Sequence, residues 1–186
     1  MKLTDTSLGF RNAFPSVIRL DVDTTLGCIP YSELPPSIDN IGPIIISQEQ
    51  LTIPFRFYSQ EPEESCVQLL DDRQSLILNA IYTRHANGFI RERQVRPLLL
   101  ADEPWIPPFV IQLLGEYVLE IIQVLEAHVD VFTGPTYVRF ARDNKPFLQL
   151  LQQRITSYWN CYYRFKFKLL ADYPAFRMLK VIKDAM

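Results

Sequence analysis

Seven of the chain's 14 prolines fall within residues 1–62: Pro15, Pro30, Pro35, Pro36, Pro43, Pro54 and Pro62. An interior proline removes a helical hydrogen bond and costs about 3 kcal/mol, so this stretch cannot hold long helices. Short extended pieces are expected instead, over Val17–Val22, Ile44–Ile46 and Leu51–Tyr58. In the last of these Ile53, Phe55 and Phe57 alternate with Thr52 and Arg56, the period of a half-covered strand. Pro54 confines that strand to an edge. Residues 1–62 therefore read as an extended, proline-rich arm packed on the rest of the chain.

From residue 63 the pattern turns helical, and residues 63–186 read as one all-α folding unit. Ser65 is a candidate N-cap for a helix over Val67–Arg84, closed by Asn87-Gly88. A second helix is expected from Phe89 to about Arg96 or Leu100. Pro104, Pro107 and Pro108 precede a long buried helix over Phe109–His128, whose Gln112, Glu116, Glu120 and Gln123 form one narrow polar stripe. Short helices are expected over Thr136–Arg142 and Ala175–Asp184. Between them Asn144 caps a helix reaching about Leu170, with Leu148, Leu151, Ile155, Tyr158, Tyr162, Phe165 and Leu169 forming one continuous apolar seam. The segment Asn87–Arg96 resembles the turn and second helix of a HEAT-type unit over roughly 35 residues, without a repeat after Val129. The fold class is thus mainly α: antiparallel helix pairs, HEAT-like or an irregular orthogonal bundle, behind the extended arm.

Composition narrows the classes of function. A chain of 186 residues that is 48% hydrophobic, with net charge -2, buries a core without metal or disulfide and is not disordered. Cys28, Cys66 and Cys161 are odd in number and widely spaced, without a C-x-x-C, and His85 and His128 stand far apart. These spacings suit reduced thiols packed as small hydrophobes rather than a zinc site. Met1–Thr6 lacks the basic-then-apolar order of a signal peptide, and the polar stripe of Phe109–His128 disqualifies it as a membrane span. The expected setting is cytoplasmic, with no cofactor, no metal and no membrane partner.

Charge is unevenly placed. Residues 1–64 carry a net -5, whereas residues 139–186 carry ten basic and three acidic side chains, a net +7. The basic end interleaves rings with cations from Tyr158 to Lys168. Arg154, Trp159, Tyr163, Arg164, Lys166 and Lys168 are accordingly the candidates for gripping a macromolecule, together with Trp105. A second candidate is the corner of Arg84, His85 and Arg91, where three basic groups and a helix start favour an anion, with Glu116 and Glu120 as ion-pair partners. Glu116 and Glu120, one turn apart, resemble paired carboxylates but lack a Glu-x-x-His companion. No nucleophile elbow, phosphate-binding loop or dinucleotide motif occurs. The expected function is a non-catalytic interaction or adaptor protein that binds another protein or a second copy of itself. The alternatives are a single-stranded nucleic-acid binder using the basic aromatic end, and an enzyme or anion-binding protein at the Arg84/His85/Arg91 corner.

Overall fold

A computed structural model describes residues 9–37 and 42–186; the leading hexapeptide read for a signal lies outside them. The chain is mainly helical, with one two-stranded sheet among the described residues. It divides into two compact units, Met1–Leu98 and Leu99–Met186.

In the first unit a 3-10 turn over Ser16–Ile18 runs into helix α1, Arg19–Cys28. The extended piece expected over Val17–Val22 is therefore helical. No proline lies between Pro15 and Pro30, and Pro15 stands just ahead of the turn, where its missing N–H breaks nothing. The Ile44–Ile46 strand (β1) is present and pairs antiparallel with β2, Glu49–Leu51, placing Ile44 opposite Leu51. Ser47 and Gln48 join the strands at φ of 50° and 69°, the left-handed pair that a two-residue hairpin requires. The longer strand expected over Leu51–Tyr58 stops at Leu51, because Pro54 offers no N–H to a ladder. Past it the chain makes only isolated bridges, Arg56 to Ser37 and Phe57 to His85.

Helices α2 (Glu64–Val67), α3 (Asp72–Tyr82) and α4 (Gly88–Leu98) complete this unit. The helix expected from Ser65 onward is broken in two, because Asp71 and not Ser65 caps the main rod. The Asp71 carboxylate accepts from the Gln74 N–H at 2.8 Å, and the Gln74 amide oxygen accepts from the Asp71 N–H at 3.2 Å. This reciprocal capping box fixes where α3 starts. Helix α3 packs against both α1 and α4. Phe57 is fully buried beside it, its ring 5.1 Å from Phe10, 5.0 Å from Tyr82 and 5.3 Å from His85, each edge-to-face.

Cys28 and Cys66 form a disulfide, their Cα atoms 5.8 Å apart, and Cys161 is free and exposed. The expectation of three reduced, packed thiols is thus corrected, and with it goes the thiol argument for a cytoplasmic setting. Sequence spacing could not show that the end of α1 returns to α2.

In the second unit, α5 (Pro107–Ile111) passes into a 3-10 turn over Gln112–Gly115, and α6 (Leu119–Glu126) follows. The single helix expected over Phe109–His128 is interrupted here. A Cβ at Gly115 would come within 2.7 Å of the Leu151 methyl, so the chain passes close to the later helix that carries Leu151, and Glu116 follows in extended backbone. A 3-10 turn over Val129–Thr133 leads to α7 (Pro135–Asp143), then α8 (Lys145–Tyr158) and α9 (Pro174–Asp184). Pro107, Pro135, Pro146 and Pro174 all sit in first turns, where the ring is tolerated. Helix α9 packs on α6, α7 and α8. Among the described residues no helix is long and apolar enough to cross a membrane.

The helix expected to reach Leu170 ends at Tyr158 and gives way to a π-turn over Trp159–Tyr163. Tyr162 falls within this wider turn, and the chain leaves helix after Tyr163, so Phe165 and Leu169 lie on no helical face. Leu148, Leu151 and Ile155 are buried as the seam requires, but Tyr162 (62%), Phe165 (94%) and Leu169 (63%) are exposed.

Closing a 38-residue separation contributes about 4 kcal/mol in the chain-entropy picture. Reductant, or Cys28→Ser with Cys66→Ser, should lower the urea midpoint of the first unit by the equivalent of about 2–4 kcal/mol. A denaturation curve of the natural chain that is unchanged by reductant would contradict the pairing.

Candidate docking surface

Two groups of side chains were singled out by sequence, and the structure treats them differently. The first is the corner between α3 and α4. Arg84 and Arg91 are both buried. Arg91 donates through Nη1 to the carbonyls of His85 (2.7 Å) and Ala86 (2.8 Å), which lie just past the end of α3. Arg84 donates through Nε to the Thr83 hydroxyl at 3.3 Å. The three basic groups are brought together here, and the contacts are with the chain's own oxygens.

His85 is committed on both ring nitrogens. Its Nδ1 accepts from the Asn87 N–H at 3.0 Å, so the proton resides on Nε2, which donates to the Ser59 carbonyl at 3.0 Å. Burial is the main cause holding its pKa below the usual histidine value, and Arg91 adds to it; Ser59, Glu61 and Asn87 oppose. The same corner binds the extended segment through main-chain bonds, Phe57 N–H to Arg84 O at 3.2 Å and Ala86 N–H to Phe57 O at 3.0 Å. Tyr82 adds its hydroxyl, donated to Gln60 O at 2.6 Å. What the corner does chemically is clamp residues 57–60 onto the end of α3.

Glu116 and Glu120 lie in the second unit. Glu116 is buried in extended backbone before α6, and Glu120 is exposed in the first turn of α6. The one-turn spacing that made them resemble paired carboxylates is therefore not realised. Among the described residues, no group of three His, Cys, Asp or Glu side chains is placed to hold a metal.

The second group is the basic aromatic segment after α8. Trp159 is half-buried and donates its indole N–H to the Phe167 carbonyl at 2.8 Å, closing the segment on itself. Tyr163 stacks on the fully buried Tyr173, centroids 5.3 Å apart at 21°, and Phe167 lies 5.6 Å from the same ring. The Tyr163 hydroxyl donates to the Tyr117 carbonyl, and burial followed by nearby Glu120 raises its pKa. With Tyr163 and Phe167 facing inward, Tyr162, Phe165 and Leu169 face outward.

Among the candidates, Arg164, Lys166 and Lys168 are exposed and Arg154 is half-buried on α8. The Arg164 guanidinium lies 5.7 Å from the Trp159 ring and donates to the Asn160 amide oxygen at 3.3 Å. Lys166 lies 5.7 Å from the Phe167 ring. Trp105, expected to be exposed, is 2% exposed and belongs to the core of the second unit. Sequence reasoning missed Tyr162, Phe165 and Leu169 as surface residues, having assigned them to the seam. Tyr117 was missed as well; it is exposed and lies 6.0 Å from both Tyr158 and Tyr162. No family model, curated protein or solved structure matches this chain.

The clamp at His85 sets a pH dependence. A folded pKa lowered below the unfolded value of about 6.5 means that the neutral ring supports the fold above that pH. The support is lost progressively as pH falls below about 6.5. Relative to His85→Gln, which keeps a donor for Ser59 and does not titrate, the natural chain should lose thermal stability between pH 7 and pH 5. Parallel melting profiles for the two chains over that interval would contradict the assignment.

Proposed function

We propose that this chain is a non-catalytic binding protein that docks a protein partner on the surface formed by residues 158–169. The observation that carries this reading is the exposure of Phe165 (94%) beside Tyr162 and Leu169, in a run holding Arg164, Lys166 and Lys168. No acidic residue occurs from Asn160 through Ala171. Burying each large apolar side chain is worth about 1.5–3 kcal/mol, so three such groups held in water are a large unused contribution to association. Aromatic anchors ringed by arginine are also what binding hot spots are made of. The cations favour an acidic partner and speed its approach.

Single-stranded nucleic acid is the second reading, favoured by the Trp159–Arg164 pair and the Tyr117, Tyr158 and Tyr162 rings beside three cations. Leu169 weighs toward protein, since an aliphatic side chain offers a base no stacking face. An enzyme or anion-binding role at the α3–α4 corner has less support, because Arg91 and His85 are spent on main-chain oxygens.

A photo-crosslinking residue placed at Phe165 in the native cell distinguishes the readings. The expected result is a discrete protein adduct, or a dimer of the chain, that disappears when Arg164→Glu is added. Nuclease-sensitive adducts would establish the second reading, and no adduct at all would refute docking here. Phe165→Ala should leave the melting temperature within about 1–2 °C of the natural chain, because an exposed ring contributes little to the fold.

A further inference from the structure

The basic aromatic run has a counterpart of opposite sign in the first unit. No basic residue occurs from Phe57 through Asp72, and Glu61, Glu63, Glu64, Asp71 and Asp72 are all exposed. Two of these acids are spent within the chain: Glu61 pairs with Arg93, and Asp71 caps α3. Among the described residues Glu63, Glu64 and Asp72 make no ion pair, and the same is true of Arg164, Lys166 and Lys168. Leu69 stands between the acids at 83% exposure, with Tyr58 exposed ahead of them, much as Phe165 stands among the cations. The acidic strip is tied at both ends and in the middle. Tyr82 donates to the Gln60 carbonyl at 2.6 Å at one end, the disulfide holds Cys66 to the end of α1, and the Asp71–Gln74 capping box closes the other end.

We infer that the partner docked on residues 158–169 is a second copy of this chain, offering its residues 58–72. The inference rests on the protein-partner reading above and names the partner. Three unpaired carboxylates in one strip are matched by three unpaired cations in the other, and each set surrounds an exposed apolar group. Exposed ion pairs add little affinity one by one, so the apolar groups supply the affinity and the charges select which strips meet. Two acidic strips repel each other, as do two basic ones, so the contact is head-to-tail rather than two-fold symmetric. Such a contact leaves one strip of each sign free, and assembly continues unless a ring closes. At a net charge of -2 the chain as a whole offers little repulsion to another copy. Both strips are shorter than the roughly 20–30 residues a side of a standard interface, which makes the association weak and reversible, with a Kd on the order of 10–100 μM.

Sedimentation equilibrium of the full chain from about 1 to 500 μM spans the expected range. The mass should climb with concentration above 21.7 kDa and fall back as salt is raised. Glu63→Lys with Glu64→Lys should weaken association by about tenfold or more. That change turns the net charge from -2 to +2, so its magnitude, and with it general repulsion between copies, is unaltered. Lys166→Glu with Lys168→Glu should weaken association as well. The two variants mixed in equal amounts should associate again, because each then offers the other a strip of opposite sign. Melting curves that match the natural chain confirm that the variants are folded. A mass of 21.7 kDa at every concentration would overturn the inference. So would association that survives the Glu63/Glu64 reversal, or a mixture of the two variants that stays monomeric. The docking reading stands or falls separately: if the Phe165 adduct holds a different protein while the chain sediments as a monomer, the surface is retained and its occupant is not a second copy.

Discussion

The buried ring of Tyr173 governs how residues 159–169 are arranged. It sits at the start of α9, with no solvent exposure, and both Tyr163 and Phe167 lie against it. With those two rings seated inward, Tyr162, Phe165 and Leu169 are left exposed in a segment whose helix ends at Tyr163. The Trp159 bond to the Phe167 carbonyl fastens the same segment at a second point. A segment tied down twice presents its exposed rings with little conformational entropy left to lose on binding. Exposure here is thus a consequence of internal packing, and it leaves three large apolar groups among three cations.

The first unit spends its charged and polar groups inwardly. Arg91, His85 and Tyr82 are directed at main-chain carbonyls, which closes the end of α3 and pins the extended segment around Phe57. A helix end leaves carbonyls without partners, and a buried guanidinium donating two hydrogen bonds is one way to satisfy them. The disulfide from α1 to α2 ties the same unit elsewhere. Two of the three groups read in sequence as an anion corner, His85 and Arg91, are hydrogen-bonded to main-chain oxygens in this arrangement.

Much of the architecture was legible in the sequence where local chemistry decides it. Pro135, Pro146 and Pro174 mark helix starts because their rings fit only the first turn, and Asn87-Gly88 separates α3 from α4 as turn residues should. The Asp71/Gln74 capping box was present in the sequence as an Asp followed three residues later by Gln, and Ser65 drew the reading away from it. What the sequence did not reveal depended on contacts between distant segments. The close approach of Leu151 at Gly115 and the return of the chain to the end of α1 that allows the Cys28–Cys66 pairing are both of this kind. Most consequential was the seam: a period of three and four continues through Leu169, but the helix gives way to a π-turn at Trp159–Tyr163 and ends there. A pattern of hydrophobicity cannot register that break. The cations Arg164, Lys166 and Lys168 are exposed, and the apolar groups beside them in the chain were assigned to the wrong side.

Which rings of residues 158–173 face water is open to direct chemical measurement. Limited tetranitromethane nitration of the folded chain, mapped by peptide mass spectrometry, reads the accessibility of each tyrosine. Tyr162 should be nitrated early, with Tyr173 untouched until the chain unfolds. Early modification of Tyr173, or protection of Tyr162 equal to that of buried Tyr82 and Tyr137, would contradict the orientation of residues 159–169 and remove the surface on which the proposed function depends.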